Sequence, residues 1–176
     1  MGTALIGISL LRPFRLILLA ACLLAGASLA AAVEPPPLTG TVTWVYDADT
    51  LDIAPHGKVR LLGIDAPEKS ASDRDQAFVR LGILPKRLRA IHGAGIAYGI
   101  SNVKGKAVTL TAGTTPRDRH GRLLAYVRLA DGRLLNRLLL EEGLVIVYRR
   151  FDFAGKDDFL AAEAAAKRRG VGLWSP

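Results

Sequence analysis

The sequence predicts an α+β fold in which about five short strands form a small barrel, with about three helices around it. Runs of alternating apolar and polar residues, typical of half-buried strands, begin near residue 40 and return after residue 105. Segments with apolar residues at helical spacing follow the third strand and recur near the C-terminus. The five-stranded OB-fold barrel is an architecture of this kind.

Five segments have the alternation of strands. They are residues 40–46, 50–54, 58–64, 106–112 and 123–129, and a further short extended segment covers residues 144–148. A turn at Pro55, His56 and Gly57 joins the second strand to the third. The strand ends distant from this turn, at Asp49 and Asp65, are therefore expected to come together.

The first helical segment is predicted over residues 73–84, with Ser72 or Asp73 available as its N-cap, and Pro85 interrupts it. A continuous second helix over residues 86–101 is not expected, because each interior glycine disfavours a helix by up to ~1 kcal/mol. The glycines concerned are Gly93, Gly95 and Gly99.

Two more helices are predicted in the C-terminal part of the chain, over residues 135–142 and 157–169. Gly143 and Gly170 follow them at the position where helices commonly end. Trp174 closes the chain and is expected to be a core anchor.

The N-terminal segment is typical of a secretory signal peptide over residues 1–32. Arg12 and Arg15 precede an apolar run, and small residues follow at the expected cleavage site. A Pro-rich linker over residues 33–39 then leads to a single domain over residues 40–176. The alternative is an uncleaved membrane anchor, although the apolar run is shorter than the ~20 residues of a comfortable span.

Cys22 and the three residues before it resemble a bacterial lipobox, so acylation of this cysteine is a further alternative. Cleavage at Ala32 would instead leave a mature chain without cysteine, since Cys22 is the only one. Disulfides, thiolate zinc sites and cysteine nucleophiles would then be excluded together. We expect a secreted or periplasmic domain that is not embedded in the membrane.

The chain is basic, with a formal net charge of +8 that becomes +6 when Arg12 and Arg15 leave with the predicted leader. A positive domain attracts polyanions. Nucleic acid, acidic lipid and acidic polysaccharide all remain open as partners.

Asp49 and Asp65 are the best candidates for metal ligands. Two carboxylates held close together raise each other's pKa, whereas a divalent cation favours both ionised forms. Calcium takes oxygen ligands of this type. Glu68 follows Pro67 and is a candidate general base that takes a proton from water. Its alternative role is to cap the next helix.

Arg60 and Arg122 are candidate phosphate clamps, because the planar guanidinium matches phosphate oxygens and stays charged. Strict strand alternation places Arg60 and Asp65 on opposite faces, and a bulge at Gly63 would bring them to one side. His120 is a weaker candidate for protonating a leaving oxygen, since a loop histidine is more often merely solvated.

Several sequence blocks resemble the staphylococcal nuclease (thermonuclease) family. The resemblance extends from about Gly40 to Trp174. Its blocks are VYDADTLDI, RLLGIDAPE, DRHGRLLAYV, LNRLLLEEGL and EAAAKRRGVGLW. The order and spacing of the first three make chance similarity improbable.

This resemblance implies an OB-fold and calcium-dependent cleavage of DNA or RNA by in-line attack of water. Asp49, Asp65 and the backbone carbonyl of Ala66 would hold one calcium ion. Glu68 would be the general base, and Arg60 and Arg122 would bind phosphate. No protein partner is implied, and we expect a monomer.

The segment over residues 73–104 departs from the usual first helix of the family, and the tyrosines that flank a bound nucleotide have no clear counterparts near Arg149 and Arg150. The rival interpretation is a non-catalytic OB-fold module that binds nucleic acid. Such a module would not need Asp49, Asp65 and Glu68 together. A lipid-anchored binder of acidic polymers is a third interpretation.

Overall fold

The computed structural model describes residue 2 and residues 37–176, and within this part seven strands and four α-helices follow one another. The strands are β1 (Leu38–Asp47), β2 (Thr50–Ala54), β3 (Gly57–Leu61), β4 (Ile64–Asp65), β5 (Ala107–Arg117), β6 (Leu123–Leu129) and β7 (Ile146–Val147). The helices are α1 (Asp75–Val79), α2 (Pro85–Asn102), α3 (Leu135–Glu141) and α4 (Lys156–Arg169), followed by a 3₁₀ turn at Gly172–Trp174. The predicted signal peptide and most of the linker lie outside the described residues.

Five of these strands close into a barrel in the order β1-β2-β3-β6-β5, which confirms the predicted OB-fold. The β3–β6 pair is parallel, and the other barrel pairs are antiparallel. Pairing of β1 with β5 completes the closure. The short strands β4 and β7 form a separate antiparallel pair. None of the helices within residues 37–176 combines the length and apolarity that a membrane span requires.

The main core fills the barrel and extends to α3 and α4. Its fully buried members include Val42, Ile53, Val59, Leu110, Ala125, Val127, Leu140 and Phe159. A second apolar cluster lies beside α1 and α2 and contains Phe78, Ile83, Leu88, Ile146 and Leu173. Trp174 is only partly buried against this second cluster, so Leu173 rather than Trp174 anchors the C-terminus.

Strand β1 departs from strict alternation. Strict alternation along the predicted strand 40–46 would place Val42 on the same face as Trp44 and Tyr46. In the structure Val42 and Val45 are buried, while the two aromatic residues are exposed. Register shifts in the β1–β2 pair, between Val42 and Trp44 and between Val45 and Asp47, explain the difference. A bulge inserts an extra residue and so changes which side chains face the core.

The prediction that residues 86–101 do not form a continuous helix is wrong, since α2 runs from Pro85 to Asn102. Pro85 begins this helix instead of breaking it, because a first-turn residue needs no intrahelical N–H bond. Gly95 and Gly99 are buried where α2 packs on β1 and the following turn. Close packing at these glycines offsets their poor helix propensity.

The region of the predicted 73–84 helix holds only the short α1, and a turn then leads to α2. Similarly, β5 continues across a register shift to Arg117, beyond the strand that the sequence predicted over residues 106–112. The helix ends at Gly143 and Gly170 agree with the prediction, and both glycines have the positive φ that favours glycine there.

We predict opposite effects from two glycine substitutions in α2. A Cβ at Gly95 would lie 2.7 Å from the Ala48 Cβ, whereas a Cβ at Gly93 would meet no atom within 4 Å. Gly95→Ala is therefore expected to lower the free energy of unfolding by about 1–3 kcal/mol through overpacking. Gly93→Ala should raise it by about 0.5–1 kcal/mol through better helix propensity. Urea unfolding of the purified variants measures both, and equal effects would contradict the proposed packing of α2.

Candidate active site

The centre of the site is the guanidinium of Arg60 on β3, a side chain that is only 8% exposed. Its Nη1 lies 2.9 Å from Oδ2 of Asp49, and its Nη2 lies 2.9 Å from Oδ1 of Asp65. Nη1 also donates to the carbonyl of Leu61 at 3.1 Å. The buried guanidinium of Arg60 therefore bridges Asp49 and Asp65, which the sequence predicted to come together.

Arg60 and Asp65 share one side because the chain turns between them. Strand β3 ends at Leu61, and Gly63 has φ of +79°, a conformation that favours glycine. The Gly63 carbonyl accepts a hydrogen bond from the amide of Tyr148 at 2.9 Å. The sequence required an irregularity near Gly63, and the structure provides it as a turn between β3 and β4.

The buried amide of Asn136 holds this turn against the barrel. Its Nδ2 donates to the carbonyl of Leu62 at 2.9 Å, and its Oδ1 accepts from the amide of Val127 at 3.0 Å. Asn136 is completely buried at the start of α3, and the sequence analysis missed it. It lies in the predicted helix block LNRLLLEEGL, where a single amide in an apolar pattern was the available signal.

Asp49 lies in the tight connection between β1 and β2 and organises the backbone around it. Its Oδ1 accepts from the hydroxyl of Thr50 at 2.9 Å, and its Oδ2 accepts from the amide of Ala66 at 2.5 Å. The carbonyl of Asp49 accepts from the amide of Leu61 at 2.7 Å. Asp49 thus fixes the position of Ala66 as well as the end of β3.

A third acid, Asp47, lies at the end of β1 and accepts the backbone amide of Asp49 through Oδ1 at 3.0 Å. Burial and the neighbouring charge of Asp49 raise the pKa of Asp47 to about 7. Burial likewise raises the pKa of Asp65, against the opposing effect of the Arg60 charge. Burial is therefore the main cause of both raised pKa values, and the charge of Asp49 adds to it.

Glu68 is half-buried at the rim of this cluster. Its carboxylate forms an ion pair with Arg74, which also pairs with Asp65. Burial opposes the charged form of Arg74, but Asp65 and Glu68 more than offset it and raise the Arg74 pKa. Arg74 precedes α1 and occupies its N-cap position, so the alternative role of Glu68 as a helix cap is wrong.

Arg74 is a second residue of the site, after Asn136, that the sequence did not indicate. It lies in the segment that departs from the family pattern, and only its proximity in sequence to Glu68 was available as a signal. Arg89 of α2 secures the same region by donating to the backbone carbonyl of Glu68 at 2.8 Å and by pairing with Asp75.

Within residues 37–176, no hydrogen bond or ion pair joins Arg122 to this cluster. Its Nε donates to Oδ2 of Asp118 at 2.8 Å, and its backbone amide donates to Oδ1 of the same residue. Partial burial opposes ionisation of Asp118, but the hydrogen bonds from Arg122 lower its pKa. Because Leu123 pairs with Val59, Arg122 lies directly before the part of β6 that adjoins β3. His120 is exposed in the same turn, next to Arg119.

The donor set fits a hard cation. Carboxylate oxygens and a backbone carbonyl, which Asp49, Asp65 and Ala66 supply, are the ligands that calcium prefers. The protein donors to Asp65 converge on its Oδ1, and within residues 37–176 its Oδ2 has no protein donor. The same residues contain no ready-made group of three His, Cys, Asp or Glu side chains for a metal.

The barrel and this site together define an OB-fold protein with a largely buried cluster of acids and arginines. The family described as "Staphylococcal nuclease homologue" matches residues 58–176. The chain therefore belongs to the staphylococcal nuclease family, as the sequence blocks indicated.

Similar proteins include an uncharacterized endonuclease of Escherichia coli, 32% identical over 77% of this chain and 76% of that protein. An uncharacterized protein of Methanocaldococcus jannaschii is also 32% identical, over 77% of this chain and 71% of its own length. Endonuclease YhcR of Bacillus subtilis is 28% identical over 77% of this chain but only 11% of that protein. The family and these names support nuclease activity.

We predict that Arg60→Met lowers the free energy of unfolding by about 3–5 kcal/mol, because it leaves two buried carboxylates without their shared cation. Arg137→Met is the matched control, since Arg137 pairs with Glu141 on the exposed face of α3. Arg137→Met should lower the free energy of unfolding by less than about 1 kcal/mol. Urea unfolding measured with chelator present compares the two, and similar losses would contradict a central role for Arg60.

Proposed function

We propose that the protein is a calcium-dependent endonuclease that hydrolyses phosphodiester bonds of DNA, RNA or both. The observation that supports this most is the convergence of Arg60 with Asp49 and Asp65, with Glu68 at the rim. We further propose that the predicted leader over residues 1–32 exports the enzyme to the periplasm or the exterior.

Asp49, Asp65 and the carbonyl of Ala66 would hold the calcium ion. When bound, calcium neutralises charge on the phosphate and orients the reacting groups. Arg60 and Arg122 stabilise the charge that grows on the phosphate oxygens. Arg122 engages Asp118 through Nε and Nη2, so its Nη1 remains available to a substrate.

Glu68 is the general base in this proposal. Its carboxylate accepts a proton from water while the water oxygen bonds to phosphorus, the bond to the leaving oxygen breaks, and the leaving oxygen takes up a proton from solvent. The ion pair with Arg74 must loosen for this step, since it occupies a Glu68 oxygen. The exposed position of Arg74 makes this exchange possible.

Degradation of plasmid DNA and of RNA tests the proposal. We expect cleavage with calcium and none with a chelator. Glu68→Gln and Arg122→Ala should each lower turnover by at least ~10²-fold, through loss of a base or of a phosphate contact. Glu142→Gln, a matched change at an exposed acid after α3, should leave turnover unchanged.

Two outcomes would contradict this assignment. Cleavage that persists unchanged in chelator would exclude the calcium requirement. Turnover near the native value in purified Glu68→Gln would exclude Glu68 as the base.

We predict that Arg74→Gln tightens calcium binding about 10-fold, because it removes a positive charge that pairs with Asp65 beside the ion. Unit charges 4 Å apart interact by about 1 kcal/mol in water, and the ion carries two charges. Titration calorimetry measures the affinity without requiring catalysis. Arg80→Gln, a charge change at an exposed residue directly after α1, is the control. Equal affinities in both variants would contradict competition between Arg74 and the ion.

A further inference from the structure

We propose that the outer face of β1 is a second contact surface for single-stranded nucleic acid, separate from the acidic cluster. This surface, the aromatic strip, consists of Trp44 and Tyr46 with Lys58 and Lys104. This proposal rests on the proposed nuclease function. It extends that function by identifying an unpaired strand as the form of substrate that the enzyme binds.

The two aromatic side chains are unusually exposed for their size. Trp44 is 54% exposed and Tyr46 is 41% exposed, although both stand on a barrel strand. The register shift after Val42 turns them outward, while Val42 and Val45 supply the core. The barrel therefore does not need these rings for its packing.

A lysine lies over each ring. The Lys58 Nζ is 4.1 Å from the Tyr46 ring centroid, and the Lys104 Nζ is 4.5 Å from the Trp44 ring centroid. Exposed cation–π contacts of this kind are weak. A nucleobase can therefore replace the ammonium group on the ring face, and the displaced lysine can pair with the adjoining phosphate. Alternating aromatic and cationic groups are the elements of a single-strand binding platform.

The spacing of the rings favours an unstacked strand over a duplex. Alternate residues on a strand are about 7 Å apart, roughly twice the 3.4 Å rise between stacked bases in duplex DNA. Bases that contact Trp44 and Tyr46 in succession must therefore be separated from each other. Duplex DNA does not expose its base faces to such a surface.

The charge balance of the strip is positive. Its one acid is Asp52 on β2, which pairs with Trp44 on one side and Lys58 on the other. The hydroxyl of Thr43 donates to Asp52 Oδ1 at 3.0 Å, which occupies part of this carboxylate. The strip also leads toward the cleavage site, because Tyr46 directly precedes Asp47.

Binding of fluorescent oligothymidylate to the full chain in chelator tests the strip without hydrolysis. We expect Trp44→Ala with Tyr46→Ala to weaken binding at least ~30-fold, consistent with the loss of two stacking contacts. Lys58→Gln should lower the slope of log affinity against log salt by about 0.7, the value for one phosphate contact on a single strand. Leu84→Ala is the matched control, because Leu84 is a 67%-exposed apolar residue outside the strip.

Intrinsic fluorescence supplies a direct readout. The chain has two tryptophans, so Trp174→Phe leaves Trp44 as the only reporter. Oligothymidylate should quench this emission in the folded variant. Absence of quenching, or unchanged affinity in the double alanine variant, would overturn the proposal. The proposal would also be overturned if the double alanine variant loses binding to anionic vesicles but keeps its oligonucleotide binding. The strip would then be a lipid-binding surface.

Different experimental outcomes would refute the aromatic strip and the proposed nuclease function. Cleavage of a dinucleotide does not require the aromatic strip, so the double alanine variant should keep the native kcat on a dinucleotide while its KM for long single strands rises. If the native protein does not cleave nucleic acid but Trp44 fluorescence still shows oligothymidylate binding, only the proposed nuclease function is refuted. If the native enzyme is active and the double alanine variant has the native KM for long single strands, only the strip is refuted.

Discussion

The shared guanidinium of Arg60 is the interaction on which the rest of the site depends. Asp49 and Asp65 are both almost fully buried, and a buried carboxylate without a partner is strongly unfavourable. Each of the three groups comes from a different element, so their meeting fixes the β1–β2 connection, β3 and β4 relative to one another. The turn at Gly63 and the buried amide of Asn136 then hold the one stretch where simple strand geometry would separate these groups.

The same cluster is the physical basis for proposing an additional cation. Four carboxyl groups face two guanidinium groups, those of Arg60 and Arg74. The carboxyl groups are those of Asp47, Asp49, Asp65 and Glu68. A phosphodiester would add negative charge to a site where carboxyl groups already outnumber guanidinium groups by four to two. A hard cation between acid and phosphate resolves this repulsion, and Arg74 is the group that it would have to displace.

Local signals predicted much of the fold, and long-range packing decided the rest. Gly143 and Gly170 end their helices as the sequence indicates, because a helix end depends on its own backbone. The continuity of α2 depends instead on Gly95 and Gly99 meeting residues about fifty positions earlier, a contact that propensity does not contain. The pairing of Asp49 with Asp65 followed from strand order. The ion pairs of Arg74 did not, because they require the path of an irregular loop.

The register shifts of β1 determine which side chains face the barrel core and which lie on the outer face of the strand. With strict alternation, Trp44 and Tyr46 would face the core beside Val42. The register shifts instead give the interior to two valines, turn the aromatic rings outward and bring Asp47 into the acidic cluster at the strand's end. Core packing alone does not require large aromatic side chains on the outer face. Their position there, each beneath a lysine, is explained if the strand that ends in the acids also binds the polymer on which these acids act.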